Sequence, residues 1–159
     1  MTELSLRHWK PIGIAALAAA GVAGIGALMT DLGPWYTSLR KPAWEPPDWL
    51  FGPAWTLIFG LCAIAGSIAW RAAPDHAGRQ RIIAAFMLNG FLNVLWSALF
   101  FRLKRPDWAL IEVGFLWLSI VLLVIVSGRR SRAAGLLLIP YLAWVSFAGV
   151  LNWAVVRLN

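Results

Sequence analysis

The chain has 159 residues, of which 60% are hydrophobic and 13% charged, with a mean hydropathy of +0.71. That is more apolar surface than a soluble domain of this size hides in one core, so an ordinary soluble fold is excluded and a membrane must complete the burial. The net charge of +7 is dispersed at the ends of apolar runs, as Arg71 with Arg79 and Arg81, Arg102-Lys104-Arg105 and Arg129-Arg130-Arg132, which is the pattern of headgroup anchors and argues against a nucleic-acid partner.

Five runs nearly free of charge cover residues 12–29, 49–70, 82–101, 108–127 and 133–156. Each has the length of a helix that crosses a hydrocarbon core of roughly 30 Å at 1.5 Å per residue. None alternates polar and apolar residues as a barrel strand does, and only helices or closed barrels satisfy a backbone in lipid. The expectation is an all-α, polytopic membrane protein, a five-helix bundle forming a single membrane domain over 1–159. Five spans put the termini on opposite faces. The face with the N-terminus then carries eight basic residues and the other six, a bias too small to fix the orientation.

In chain order, the first span follows Arg7 and Lys10 and resembles the apolar core of a signal peptide, but its length and the four spans after it make it a retained helix. Ala20 and Gly24 form a small-xxx-small pair suited to helix packing and a dimer seam. Residues 31–48 then read DLGPWYTSLRKPAWEPPD, with Trp35, Tyr36, Trp44 and four prolines. Pro42, Pro46 and Pro47 stiffen this connection, and its aromatic rings need an apolar seat. Trp35 by itself is equally explained by an interfacial aromatic belt; the segment as a whole reads as a structured lid over one mouth of the bundle, with Trp35, Lys41, Pro42, Pro46 and Pro47 in its frame.

Seven of the eleven tryptophans, Trp9, Trp35, Trp44, Trp49, Trp70, Trp108 and Trp153, lie in loops or near span ends, where anchoring at the interface accounts for them. Trp55, Trp96, Trp117 and Trp144 lie inside spans. Trp55 sits about 9 Å into the second span and Trp96 about 8 Å from the end of the third, both measured from the lid side. Asn89, Asn93 and Trp96 form one stripe on the third helix, and Trp144, Ala148 and Asn152 another on the fifth, with Tyr141 nearby. An amide in lipid must be hydrogen-bonded, so these stripes face inward. Asn89 and Asn152 serve equally well as ties between helices; Asn93, level with Trp55, is expected in a cavity wall. Glu112 is the one ionisable group well inside the fourth span and is expected to snorkel or to pair with Arg102 or Arg105. Cys62, the single cysteine, has no intrachain partner. His8 and His76 stand alone, and no metal-spaced or phosphate-binding motif occurs; no cofactor, metal or catalytic residue is expected.

Trp35-Tyr36, Leu39, Lys41-Pro42-Ala43-Trp44-Glu45-Pro46-Pro47 and Gly52-Pro53-Ala54-Trp55, followed in order by Leu92-Asn93-Val94-Leu95-Trp96, Phe100-Phe101, Trp108-Ala109-Leu110 and Pro140 to Ala148 with Leu151-Asn152, resemble the signature of the TspO/MBR family, the translocator proteins, tryptophan-rich sensory proteins or peripheral-type benzodiazepine receptors. The resemblance spans nearly the whole chain. It implies a five-helix bundle, commonly a homodimer, in a bacterial envelope or mitochondrial outer membrane, and a receptor or carrier for porphyrins such as protoporphyrin IX and haem, with sterol binding or light-dependent porphyrin breakdown as the alternatives. It implies a ligand pocket of Tyr36, Trp44, Trp55, Asn89, Asn93, Trp96, Trp144 and Ala148. Three positions depart from the family pattern. Trp153 stands where a sterol motif has tyrosine, so cholesterol binding is expected to be weak. Ser97-Ala98 replaces a proline after Trp96, so the third helix is expected to run straighter. Gly149 stands where threonine is usual, which loosens packing beside Ala148.

Overall fold

The computed structural model describes the backbone of residues 3–159 and the side chains of residues 11–159, so Arg7, His8, Trp9 and Lys10 lie outside the described side chains. Among the described residues there are seven α-helices: α1 (Glu3–Met29), α2 (Pro34–Ser38), α3 (Phe51–Ala72), α4 (His76–Ser97), α5 (Pro106–Gly128), α6 (Arg132–Leu137) and α7 (Ile139–Leu158). A 3-10 turn, Asp48–Leu50, leads into α3, and a π turn, Ala98–Arg102, ends α4. Five segments are long and apolar enough to cross a membrane: Pro11–Met29, Asp48–Ala72, His76–Arg102, Pro106–Gly128 and Arg132–Leu158. The protein is therefore an all-α, multi-pass membrane protein. Among the described residues there is no strand.

Local chemistry sets the ends of these elements. Asp75 caps α4 by accepting from the Gly78 amide at 2.7 Å, which starts this helix six residues before its charge-free run begins. Ser131 caps α6 in the same way through the Ala134 amide. Pro106 opens α5 at a position that needs no amide donor. The last span is broken between α6 and α7 because Pro140 lacks an N–H and its ring crowds the preceding turn.

The spans close into a ring. α1 packs on α3 and α4, α4 on α5, α5 on α6 and α7, and α6 returns to α3. One end of this ring is backbone against backbone: a Cβ added at Gly135 would lie 2.9 Å from the Gly128 Cα and 3.2 Å from the Val124 carbonyl oxygen. Ala65, Ala69, Ala73 and Ala134 fill the space around that crossing, all buried. Small side chains permit this approach, which is how helices gain contact in lipid. The other end, beneath residues 31–48, is lined by large rings. The third span does not end straight as expected from Ser97-Ala98. Its final turn widens to i→i+5, with the Leu103 amide donating to the Ala98 carbonyl, so that the consecutive Phe100 and Phe101 are both buried.

Candidate functional site

Residues 31–48 form a roof with its own internal bonding. The Tyr36 hydroxyl lies 3.2 Å from both Glu45 Oε1 and Asp48 Oδ1. Lys41 Nζ sits 3.5 Å from the centre of the Tyr36 ring, 3.3 Å from Glu45 Oε1 and 3.9 Å from Asp48 Oδ1. Burial, and then the two carboxylates, hold the Tyr36 phenol well above the ordinary phenolic range, so it stays protonated and donates. The aromatic rings of the roof land on rings below: Trp35 meets Phe100 edge-on at 6.0 Å, Tyr36 meets Phe101 at 5.6 Å and Trp44 meets Phe147 at 5.9 Å. The π turn makes this seat possible, because it presents Phe100 and Phe101 side by side. Arg40 is tied to the end of α7 by two bonds between its backbone and the Asn159 amide.

Under the roof lies a cavity of about 60 Å³. Tyr36, Leu39, Lys41 and Glu45 cover it, Phe51 closes the α3 side, Trp96 and Phe100 form one wall, and Ala148, Leu151, Asn152 and Val155 form the other. Trp96 stacks on Phe100 at 5.2 Å and donates through Nε1 to Asn152 Oδ1 at 3.2 Å. Asn152 Nδ2 in turn donates to the Pro106 carbonyl. The Trp96 ring in this wall is therefore held by stacking on one side and by the Asn152 amide, itself satisfied, at its N–H.

The residues expected in a pocket fall into four groups. Tyr36, Trp96 and Ala148, with the roof residue Lys41, line the cavity directly. Trp55 and Trp144, 6.4 Å apart and edge to face, do not line it; Phe51, which does, meets Trp144 edge-on. The Trp144 Nε1 is buried without a partner. Trp44 covers the outside of α7 and is half exposed. Asn89 and Asn93 stand further in. Asn93 Nδ2 donates to the Tyr141 hydroxyl, which donates to Asn89 Oδ1, and Asn89 Nδ2 donates to Ser119 Oγ at 2.9 Å. Asn93, expected in a cavity wall, is in this structure a tie between α4 and α7. Pro42, Pro46 and Pro47 shape the roof. Leu39, Glu45, Phe100 and Leu151, quoted above within the signature motifs but not expected in the pocket, line the cavity, as do Phe51 and Val155, which carried no signal.

Glu112 differs from expectation. It is 6% exposed, both carboxyl oxygens lack a hydrogen-bond partner, and it neither snorkels nor meets an arginine. Arg102 donates to the Leu28 carbonyl and Arg105 pairs with Asp107. Both basic partners are committed elsewhere by groups nearer their own helix ends.

A second, open groove of about 410 Å³ runs along the outer seam of α5 and α7, between Trp117 and Trp153. Trp117 donates to Ser146 Oγ at 2.8 Å, and the Arg157 guanidinium lies 5.4 Å from the Trp153 ring. Gly149 leaves ordinary contact distance to Val113, 3.7 Å from where a Cβ would stand.

The sequence comparisons agree with this architecture. Residues 13–158 match the model of the TspO/MBR family. The chain is similar to the tryptophan-rich protein TspO of Chlorobaculum tepidum, 39% identical with 89% of each chain covered. It is 40% identical to the tryptophan-rich protein TspO of Archaeoglobus fulgidus, over 92% of this chain and 94% of that one. The human translocator protein is 29% identical over 79% of this chain and 75% of its own. These relatives support a receptor or transporter role in a membrane. With the match running from the first span to the end of α7, the chain belongs to the TspO/MBR family.

Proposed function

We propose that the protein is a membrane receptor or carrier for porphyrins, protoporphyrin IX or haem, taken up beneath residues 31–48. The observation that carries this reading is the Trp96–Phe100 pair, stacked at 5.2 Å and lining the cavity. A flat macrocycle is held by such faces and by apolar walls, while a few polar groups orient its edge. Lys41, on the cavity's roof, suits a ligand carboxylate. Pockets for ligands of this size run to about 300–1,000 Å³, so the cavity of about 60 Å³ is the closed state and the roof must lift. Its fastenings to the helices suit that: they are two hydrogen bonds between Arg40 and Asn159 and three ring contacts, each of modest strength. The exposed Ala20 and Gly24 of α1 supply a surface for the homodimer the family resemblance implies.

A second reading, light-dependent porphyrin breakdown, is favoured by one observation: Trp55 and Trp144 lie 6.4 Å apart beside the cavity, and the Trp144 N–H is free of a partner. Titration of the purified protein with protoporphyrin IX, followed by tryptophan quenching, tests binding. Illumination of the complex separates the readings: unchanged pigment supports the carrier, a bilin-like product the enzyme, and no quenching defeats both.

A further inference from the structure

Glu112 is a carboxyl group inside a membrane span, 6% exposed, with no hydrogen bond to either oxygen. Such a group is costly, because neither water nor a partner replaces its lost hydration. The helix register places it at the depth of the cavity described above. α4 and α5 run antiparallel with Asn89 bonded to Ser119, and seven residues further along each helix Trp96 comes level with Glu112. On the other side, Val113 meets Gly149 and Pro106 meets Asn152, which brings Glu112 to the level of Ala148. Trp96 and Ala148 are opposite walls of the cavity, and the register puts Glu112, buried behind the lining residues, at the level of both.

Among the described residues nothing neutralises it. On α4, the Ser97 hydroxyl donates to the Asn93 carbonyl and Asn93 Nδ2 donates to Tyr141. Tyr141 on α7 and Cys62 on α3 are the other ionisable groups buried in the bundle, and neither is a cation. α1 carries no ionisable residue between Pro11 and Met29. The arginines nearest in sequence, Arg102 and Arg105, are engaged with Leu28 and Asp107; Arg132 and Arg157 stand at the ends of the last span. The roof adds to the imbalance, since Glu45 and Asp48 share the single ammonium of Lys41.

We propose that Glu112 is the counter-ion for a cationic nitrogen, so that the pocket beneath residues 31–48 also takes flat aromatic ligands bearing an amine. In the empty protein the carboxyl is the neutral acid. When an ammonium-bearing ligand enters between Trp96 and Ala148, the Glu112 O–H gives its proton to water and the carboxylate pairs with the ligand N–H, one proton leaving per ligand bound. Because the proton is released on binding, affinity rises with pH, by up to tenfold per unit while Glu112 is protonated in the empty protein.

The inference rests on the pocket assigned above, and a matched pair of probes keeps the two apart. 1-Pyrenemethylamine and 1-pyrenemethanol have the same ring system, and the amine is charged between pH 6 and 8. Titrated into the protein in phosphatidylcholine nanodiscs, with empty nanodiscs as background, the amine should bind at least about tenfold more tightly than the alcohol at pH 7.5, a difference of about 1.4 kcal/mol. A weakly buffered dye assay should report about one proton released per amine and none per alcohol. Glu112→Gln should abolish the preference, the proton release and the pH slope, and leave the affinity for the alcohol unchanged. The proton count on the unmodified protein carries the test should that variant not fold. Equal affinity for the two probes, an amine preference that survives in Glu112→Gln, or binding without proton release would each overturn the assignment of Glu112 while leaving the pocket standing. Failure of both probes to bind would defeat the pocket and this inference together.

Discussion

The two ends of the bundle solve the packing problem in opposite ways. Around Gly128 and Gly135 the helices touch through backbone and alanine, with no room for one added carbon at Gly135. Beneath residues 31–48 the helices are held apart by Phe51, Trp55, Trp96, Phe100 and Trp144, whose rings meet edge to face or stacked. Backbone contact is rigid because peptide groups have no alternative rotamer, whereas a ring-lined end can change shape by turning side chains and lifting a loop. One end fixes the bundle, and the other is the end at which the proposed ligand would enter.

The largest effect is expected at the closed end. Gly135→Ala puts a methyl group 2.9 Å from the Gly128 Cα, and should cost about 1–3 kcal/mol by overpacking, seen as a clear fall in the detergent melting temperature. Gly149→Ala, whose new carbon would stand 3.7 Å from Val113, should leave it almost unchanged. Equal melting temperatures for the two variants would remove the distinction between the ends.

Next comes a contrast between two indoles inside the membrane. Trp144 packs on Trp55, Phe51 and Phe147 beside the cavity, while Trp117 faces the outer groove and bonds to Ser146. Trp144→Ala should weaken protoporphyrin binding several-fold to about tenfold, from a lost ring contact of about 0.5–1.5 kcal/mol together with lost apolar contact. Trp117→Ala should leave affinity near that of the unmodified protein. Equal losses in two variants that melt normally would mislocate the pocket.

A smaller, purely structural effect is expected between the two ends. Tyr141→Phe deletes the hydroxyl that joins Asn93 to Asn89. Hydrogen bonds between membrane helices average about 0.6 kcal/mol and reach about 1.7, so stability should fall within that range while porphyrin affinity holds. A changed affinity would make the amide network part of the site. The smallest effect concerns the outer groove, where Trp153→Tyr should strengthen a weak cholesterol affinity; tight sterol binding by the unmodified chain would contradict the expectation.

What was legible in the sequence follows the same division. The five spans were readable because lipid demands long uncharged helices, and the Asn and Trp stripes because an amide or indole in that setting needs an inward partner. That residues 31–48 are a structured segment was readable from their prolines and aromatic residues. The π turn was not, since Ala98 to Phe101 continues an ordinary helical pattern and the widened turn is imposed by seating Trp35 and Tyr36 on Phe100 and Phe101. Nor was the polar cluster of Tyr36, Lys41, Glu45 and Asp48, which depends on how the prolines fold the roof back on itself. Glu112 was visible as an ionisable group in lipid, but its isolation was not, because it depends on where Arg102 and Arg105 find their own partners. Leu39, Leu151 and Val155 are ordinary apolar residues until the helices bring them to one cavity.

The central claim is that a ligand enters the space between Trp96 and Ala148. Ala148→Leu adds three carbons to one wall of a cavity of about 60 Å³ without touching the aromatic wall. Titration of this variant with protoporphyrin IX, beside the unmodified protein and at matched melting temperature, tests the claim most directly. The account predicts at least about a tenfold rise in Kd, about 1.4 kcal/mol; an unchanged Kd in a folded variant would contradict it.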